Sequence, residues 1–113
     1  MRAAAAAICL ALTLAGCGIG RREPATGPEF VGRSMRVEAS SGVTRLTFRR
    51  DGTVEARFGR QRTQGRWALA RRQLCFTWAR NYRECWPYRA PFQRGRTVPI
   101  RSDRGNQVRV TLL

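Results

Sequence analysis

Gln73-Leu74-Cys75-Phe76-Thr77-Trp78-Ala79-Arg80-Asn81-Tyr82-Arg83-Glu84-Cys85-Trp86 alternates apolar and polar side chains on either side of Ala79-Arg80-Asn81. That two-residue period marks a pair of half-buried antiparallel strands joined by a short loop. With Ala79-Arg80-Asn81 as the loop, Trp78 faces Tyr82, Leu74 faces Trp86 and Cys75 falls opposite Cys85. Leu74, Phe76 and Trp86 then share one face, assigned to the core, and the two cysteines stand on the other. Opposed residues at a non-hydrogen-bonded position are close enough to be bridged with slight contraction. Glu84 shares the apolar face with Phe76 and is expected either near the rim or, the preferred reading, paired with an arginine.

The same alternation runs outward in both directions. Apolar residues interleave with Arg and Thr over residues 33–39, 43–49, 53–59, 64–70, 73–79, 82–90, 97–101 and 107–112, with Gly, Asp and Asn between many of them. No stretch of this region carries a helical period. At Asp51-Gly52 a two-residue turn would oppose Phe48 to Glu55 and mix the faces. A three-residue loop, Arg50-Asp51-Gly52 with Gly52 left-handed in a bulge, pairs Phe48 with Val54, Leu46 with Ala56 and Thr44 with Phe58. The expected fold is therefore all-β, a small antiparallel meander closing into an eight-stranded up-and-down barrel or sandwich.

The N-terminus reads differently. Met1-Arg2 opens into an apolar run, Ala3 to Leu14, with the charged start and short hydrophobic middle of a secretory signal. It is shorter than the about 20 apolar residues that a membrane-spanning helix needs. Leu14-Ala15-Gly16-Cys17 at its end resembles the lipobox of bacterial lipoprotein precursors. The resemblance implies a signal peptide over 1–16, cleavage before Cys17, lipid attachment on Cys17 and a membrane anchor. Gly18 in place of Asp after that cysteine implies transfer to the outer membrane, on its periplasmic side. With Cys9 lost in the leader and Cys17 acylated, Cys75 and Cys85 are the thiols left to an oxidising compartment, and a disulfide between them is expected. Residues 18–29 hold three glycines and two prolines and read as a flexible tether with an end-to-end distance of about 20 Å. The folded β-domain is expected over 30–113.

Phe30-Val31-Gly32, Asp51-Gly52, Gly65-Arg66-Trp67, Leu74-Cys75-Phe76 and Cys85-Trp86 together resemble a family of small secreted bacterial domains with the pattern G-x-W, L-C-[FWY], C-[FWY]. The resemblance covers nearly the whole domain, implies a compact antiparallel sheet or barrel, and brings no activity with it. A weaker similarity is to the lipoprotein inhibitors of proteases and lysozymes, which set a small eight-stranded barrel and one disulfide behind a lipobox. It makes a protein-binding protease inhibitor the alternative function. Lysozyme, itself strongly basic, is a poor target for a basic chain.

All 22 basic residues are arginine, and they stand against seven acids for a formal net charge of +15. Such a charge interleaved with aromatics suits nucleic acid, but an exported, lipid-anchored protein is not expected to meet it. Two readings remain. One is a coding bias toward arginine that leaves a solvated face; the other is binding of anionic envelope components such as lipid phosphates, lipopolysaccharide or acidic glycans, whose oxyanions the guanidinium fork matches. Arg45, Arg49 and Arg57 are the candidate anion-binding residues, because the bulged register puts Arg45 beside Arg57 on the outer face.

An enzyme is not expected. Histidine is absent, and the acids, Glu23, Glu29, Glu38, Asp51, Glu55, Glu84 and Asp103, form no visible acid–base pair. Two free thiols without histidine cannot complete a zinc site, so neither metal nor cofactor is anticipated.

Overall fold

The computed structural model describes residues 27–113; the expected leader, Cys17 and the expected tether as far as residue 26 lie outside the described residues. Eight strands follow one another: β1 (Ser34–Ala39), β2 (Gly42–Phe48), β3 (Thr53–Phe58), β4 (Gln61–Ala70), β5 (Gln73–Thr77), β6 (Arg83–Pro87), β7 (Thr97–Arg101) and β8 (Gln107–Leu112). They form one antiparallel sheet in the order β6-β5-β4-β3-β2-β1-β8-β7. The return of β8 to β1, with Val37 opposite Val110, rolls the meander into a nearly closed barrel. Its one seam lies between β6 and β7.

Both hairpin registers expected from the sequence are present. Phe48 pairs with Val54 and Leu46 with Ala56, and Gly52 sits at φ 91° in the bulge. Asp51 fixes that turn by accepting hydrogen bonds from the Thr53 hydroxyl (2.6 Å) and N–H (2.9 Å), which hold its carboxyl below the usual carboxylate range. Cys75 pairs with Cys85 and Leu74 with Trp86, and the two cysteines are disulfide-bonded across Cα atoms 4.0 Å apart. The disulfide is on the outer face yet covered, its cysteines only 7% and 4% exposed; Arg83 lies 3.5 Å from Cys75 Sγ, and Asp103 bonds to the Cys85 backbone.

Several details depart from expectation. β4 begins at Gln61, since Phe58 pairs with Gln61 across a tight Gly59-Arg60 turn; the polar run 60–63 carries no alternation that could reveal it. The Thr44–Phe58 pair is absent, because the β2–β3 ladder stops at Arg45–Arg57 and Phe58 is left 45% exposed at the rim. Glu29, assigned by composition to the tether, belongs to the fold. Its carboxylate accepts the Tyr88 hydroxyl at 2.6 Å and the Phe92 N–H at 2.7 Å.

The clamp formed by Glu29 seats Phe30, which is completely buried and plugs the barrel end at which the chain enters. Phe48 (4.8 Å between ring centroids), Trp67 (5.3 Å), Tyr88 (6.1 Å) and Phe92 (6.4 Å) surround it, the tilted and edge-on arrangement that aromatic quadrupoles favour. Inward residues of the strands, among them Met35, Val37, Leu46, Val54, Leu74, Phe76, Trp86 and Val110, complete the core.

The G-x-W stretch has a steric explanation. Trp67 donates its N–H to Gly52 O and its indole N–H to Arg49 O, both at 2.9 Å, which ties β4 to the bulged hairpin. The Trp78 ring lies over Gly65 so closely that a Cβ there would stand 2.5 Å from the ring and 2.6 Å from the Thr77 carbonyl.

Gly65→Ala should therefore lower stability by about 2 kcal/mol through overpacking, seen as an earlier midpoint in urea unfolding with the native circular dichroism retained. Glu29→Ala leaves two partners of a carboxylate unsatisfied and should cost about 2 kcal/mol. Burial, followed by the Glu29 carboxylate, raises the Tyr88 phenol above the ordinary tyrosine range. Its stabilising contribution is thus complete below about pH 10, the unfolded value, and is lost as pH rises further. Alkaline unfolding monitored by tyrosinate absorbance should start earlier in the Glu29 variant; identical alkaline midpoints would show that the clamp is unimportant.

Candidate anion-binding surface

Because side chains alternate across each strand, filling the barrel with the residues above forces their neighbours outward. Register then decides which outward residues meet. Arg36 in β1 is opposite Arg45 in β2, Arg45 is opposite Arg57 in β3, and Arg57 is opposite Arg62 in β4. Four arginines thus form a row across four adjacent strands, about 14 Å from end to end at normal strand spacing. All four are exposed.

Neutralisation of this row is sparse. Arg36 Nε contacts Glu38 Oε2 at 3.1 Å, and Glu38 is shared with Arg109 at 3.7 Å. Among the described residues no carboxylate forms an ion pair with Arg45, Arg57 or Arg62. Directly opposed like charges destabilise a sheet by up to about 1 kcal/mol per pair, so the row works against folding wherever its charge is unscreened.

Of the expected site residues, the structure brings Arg45 and Arg57 together. Arg49 stands apart, at the mouth of the β2–β3 hairpin, with Nη2 4.0 Å from Glu55 Oε1. Sequence reasoning missed Arg36 and Arg62, which extend the row on both sides. Their only signal was an odd spacing from inward residues, Arg36 between Met35 and Val37 and Arg62 three before Gly65, usable once the β1–β2 and β3–β4 registers are known.

The opposite end of the barrel from Phe30 holds a cup of roughly 820 Å³, lined by Thr44, Ala56, Trp78, Glu84 and Val108 among others. Glu84 lies at its side and, contrary to the sequence expectation of an arginine partner, accepts the Asn106 amide at 2.6 Å. The β7–β8 turn brings Asn106 there, held by the Asn106 N–H to the Ser102 hydroxyl (3.2 Å) and the Ser102 N–H to the Asn106 carbonyl (2.8 Å). Among the described residues the remaining acids have structural partners: Glu29 in the clamp, Asp51 in its turn, and Asp103 accepting the Cys85 N–H at 2.8 Å. Among the described residues no group of three or more acidic or cysteine side chains could hold a metal ion.

No protein-family model matches the chain, and no curated protein or solved structure is significantly similar to it.

Removal of one charge from the centre of the row tests the electrostatic description. Arg57→Gln should raise stability by about 0.5 kcal/mol at low ionic strength, and the gain should shrink as salt screens the row. A loss of stability, or a gain insensitive to salt, would contradict it.

Proposed function

We propose that this is a lipid-anchored, non-enzymatic envelope protein whose arginine-rich wall binds anionic envelope components, with lipid phosphates, lipopolysaccharide and acidic glycans sharing the required oxyanion chemistry. The observation that carries this is the Arg36–Arg45–Arg57–Arg62 row. Its guanidiniums are spaced one strand apart on a rigid sheet, the acids near it neutralise one end alone, and its self-repulsion is relieved by a ligand with repeated negative charges. The lipobox-like Leu14-Ala15-Gly16-Cys17 supplies the location. Acylation of Cys17 with two or more chains gives stable attachment to a bilayer, and holds the barrel at outer-membrane surfaces rich in such anions.

Recovery of the mature protein from native envelopes at two salt concentrations tests this directly. Anionic polymer or lipid should co-purify at low salt and be released as the Debye length falls from about 30 Å to about 8 Å. Arg45→Gln combined with Arg57→Gln should reduce the retained material several-fold, whereas mass spectrometry should find acyl chains on Cys17 in both proteins. An absence of bound anionic material at low salt, or an unmodified Cys17, refutes the proposal.

A further inference from the structure

The seam of the barrel is where its wall lacks a strand-to-strand ladder. β6 and β7 are adjacent in the cylinder yet stand at opposite ends of the hydrogen-bonded order, and residues 88–96 loop out between them. Two bonds from one residue bridge the gap: Asp103 N–H donates to Cys85 O at 2.9 Å, and Asp103 Oδ1 accepts Cys85 N–H at 2.8 Å. Arg104 adds a third contact, from Nε to Arg83 O at 2.8 Å.

Outside this seam lies a hollow of about 450 Å³ lined by Arg71 and Arg72 from the β4–β5 turn, Arg89 beyond β6 and Arg101 at the end of β7. Four arginines from three separate chain segments converge on it. The one carboxylate in its wall is Asp103, which the Cys85 N–H already engages. Among the described residues none of the four arginines forms an ion pair.

The β4–β5 turn supplies a second, independent observation. Ala70 pairs with Gln73, so Arg71 and Arg72 are the two central residues of a two-residue hairpin, and both have left-handed φ, 54° and 64°. That conformation is the natural home of Asn-Gly; for residues with a Cβ it is disfavoured by contact with the neighbouring carbonyl. Two adjacent arginines add mutual repulsion, and burial does not compensate, since both are exposed. The Arg72 carbonyl accepts the Tyr88 N–H at 2.8 Å, which secures the turn against the start of the 88–96 loop without requiring either side chain. The two-residue loop imposes this conformation, which Arg80 in the β5–β6 turn also adopts (φ 61°); what sets the β4–β5 turn apart is that both of its strained positions carry arginine and both line the hollow.

We infer that the hollow over the β6–β7 seam is a binding site for a phosphomonoester-type oxyanion, held by the guanidiniums of Arg71, Arg72, Arg89 and Arg101. A compact dianion with three free oxygens can accept from several forks at once, which a single carboxylate cannot, and it would neutralise a pocket that otherwise concentrates four cations. The site is separate from the row on β1–β4, which suits an extended polyanion, and its occupancy does not depend on that row.

The test uses the mature lipidated protein in neutral detergent micelles, with inorganic phosphate as the probe against sodium chloride of matched ionic strength. Phosphate should raise the unfolding midpoint and bind measurably by calorimetry. Replacing Arg71→Asn together with Arg72→Gly gives the turn its preferred residues, so this variant should unfold at a higher temperature than the parent without ligand, while phosphate affinity falls at least tenfold. Arg89→Gln with Arg101→Gln should lose phosphate binding comparably without the rise in midpoint, and Arg45→Gln with Arg57→Gln should retain it, separating this site from the row. Phosphatidic acid doped into the micelles distinguishes the sources. Displacement of inorganic phosphate identifies a lipid headgroup as a ligand, and undiminished phosphate binding identifies a soluble one. The inference is overturned if phosphate binds no better than matched chloride, or if both seam variants bind it as the parent does.

Discussion

The pairing of β8 with β1 converts a meander into a cylinder, and once the sheet is closed every strand has one inside and one outside. A domain this small buries a modest fraction of its surface, so the inside must be filled with whatever large apolar residues the chain offers. Phe30, Phe48, Trp67, Phe76 and Trp86 occupy it, and the residues alternating with them, to a great extent arginines, have only the outer wall to stand on. The charge pattern of the surface is thus a consequence of core filling combined with register. Opposed positions share a face, so an arginine placed outside on one strand meets whatever its neighbour placed outside at the same level.

Much of this was legible in the sequence because two-residue periodicity and turn chemistry point the same way. The Asp51-Gly52 hairpin could be set to the correct three-residue loop solely by requiring Phe48 and Leu46 to have apolar partners, and the Cys75–Cys85 pairing followed from placing Leu74 against Trp86. Legibility failed where polarity was uniform or the interaction was remote. Residues 60–63 hide the start of β4, and with it the place of Arg62 beside Arg57. Glu29 reads as tether by composition, yet its partners Tyr88 and Phe92 lie about sixty residues away, beyond the reach of any local pattern. Asp103, which closes the seam from a turn, is invisible for the same reason. So is Asn106, which took the place expected of an arginine beside Glu84.

The arginine count alone does not separate coding bias from function, and distribution is the more informative quantity. A solvated face generated by composition would scatter its charges and let the few acids settle among them. Here Glu38 and Glu55 do pair with Arg36 and Arg49, while the middle of the row and the rim of the seam hollow are left without counter-ions among the described residues. The turn at Arg71-Arg72 goes further, because it sets two adjacent left-handed arginines beside Arg89 and Arg101 in one hollow, a convergence that a bias toward arginine does not explain.

Anchoring changes what weak sites can do. Exposed guanidinium–anion contacts are individually weak in water and screened by salt, so an isolated barrel of this charge would exchange rapidly among many anions. The proposed attachment through Cys17 would confine it within reach of one surface and so raise the local concentration of ligands there. The row proposed for an extended polymer and the hollow proposed for a compact oxyanion could then be engaged together, with the avidity of linked sites adding to the affinity of each. That coupling requires the disulfide and the Asp103 bridge, since both hold the arginine-bearing edges of the seam at a fixed separation from the rest of the wall.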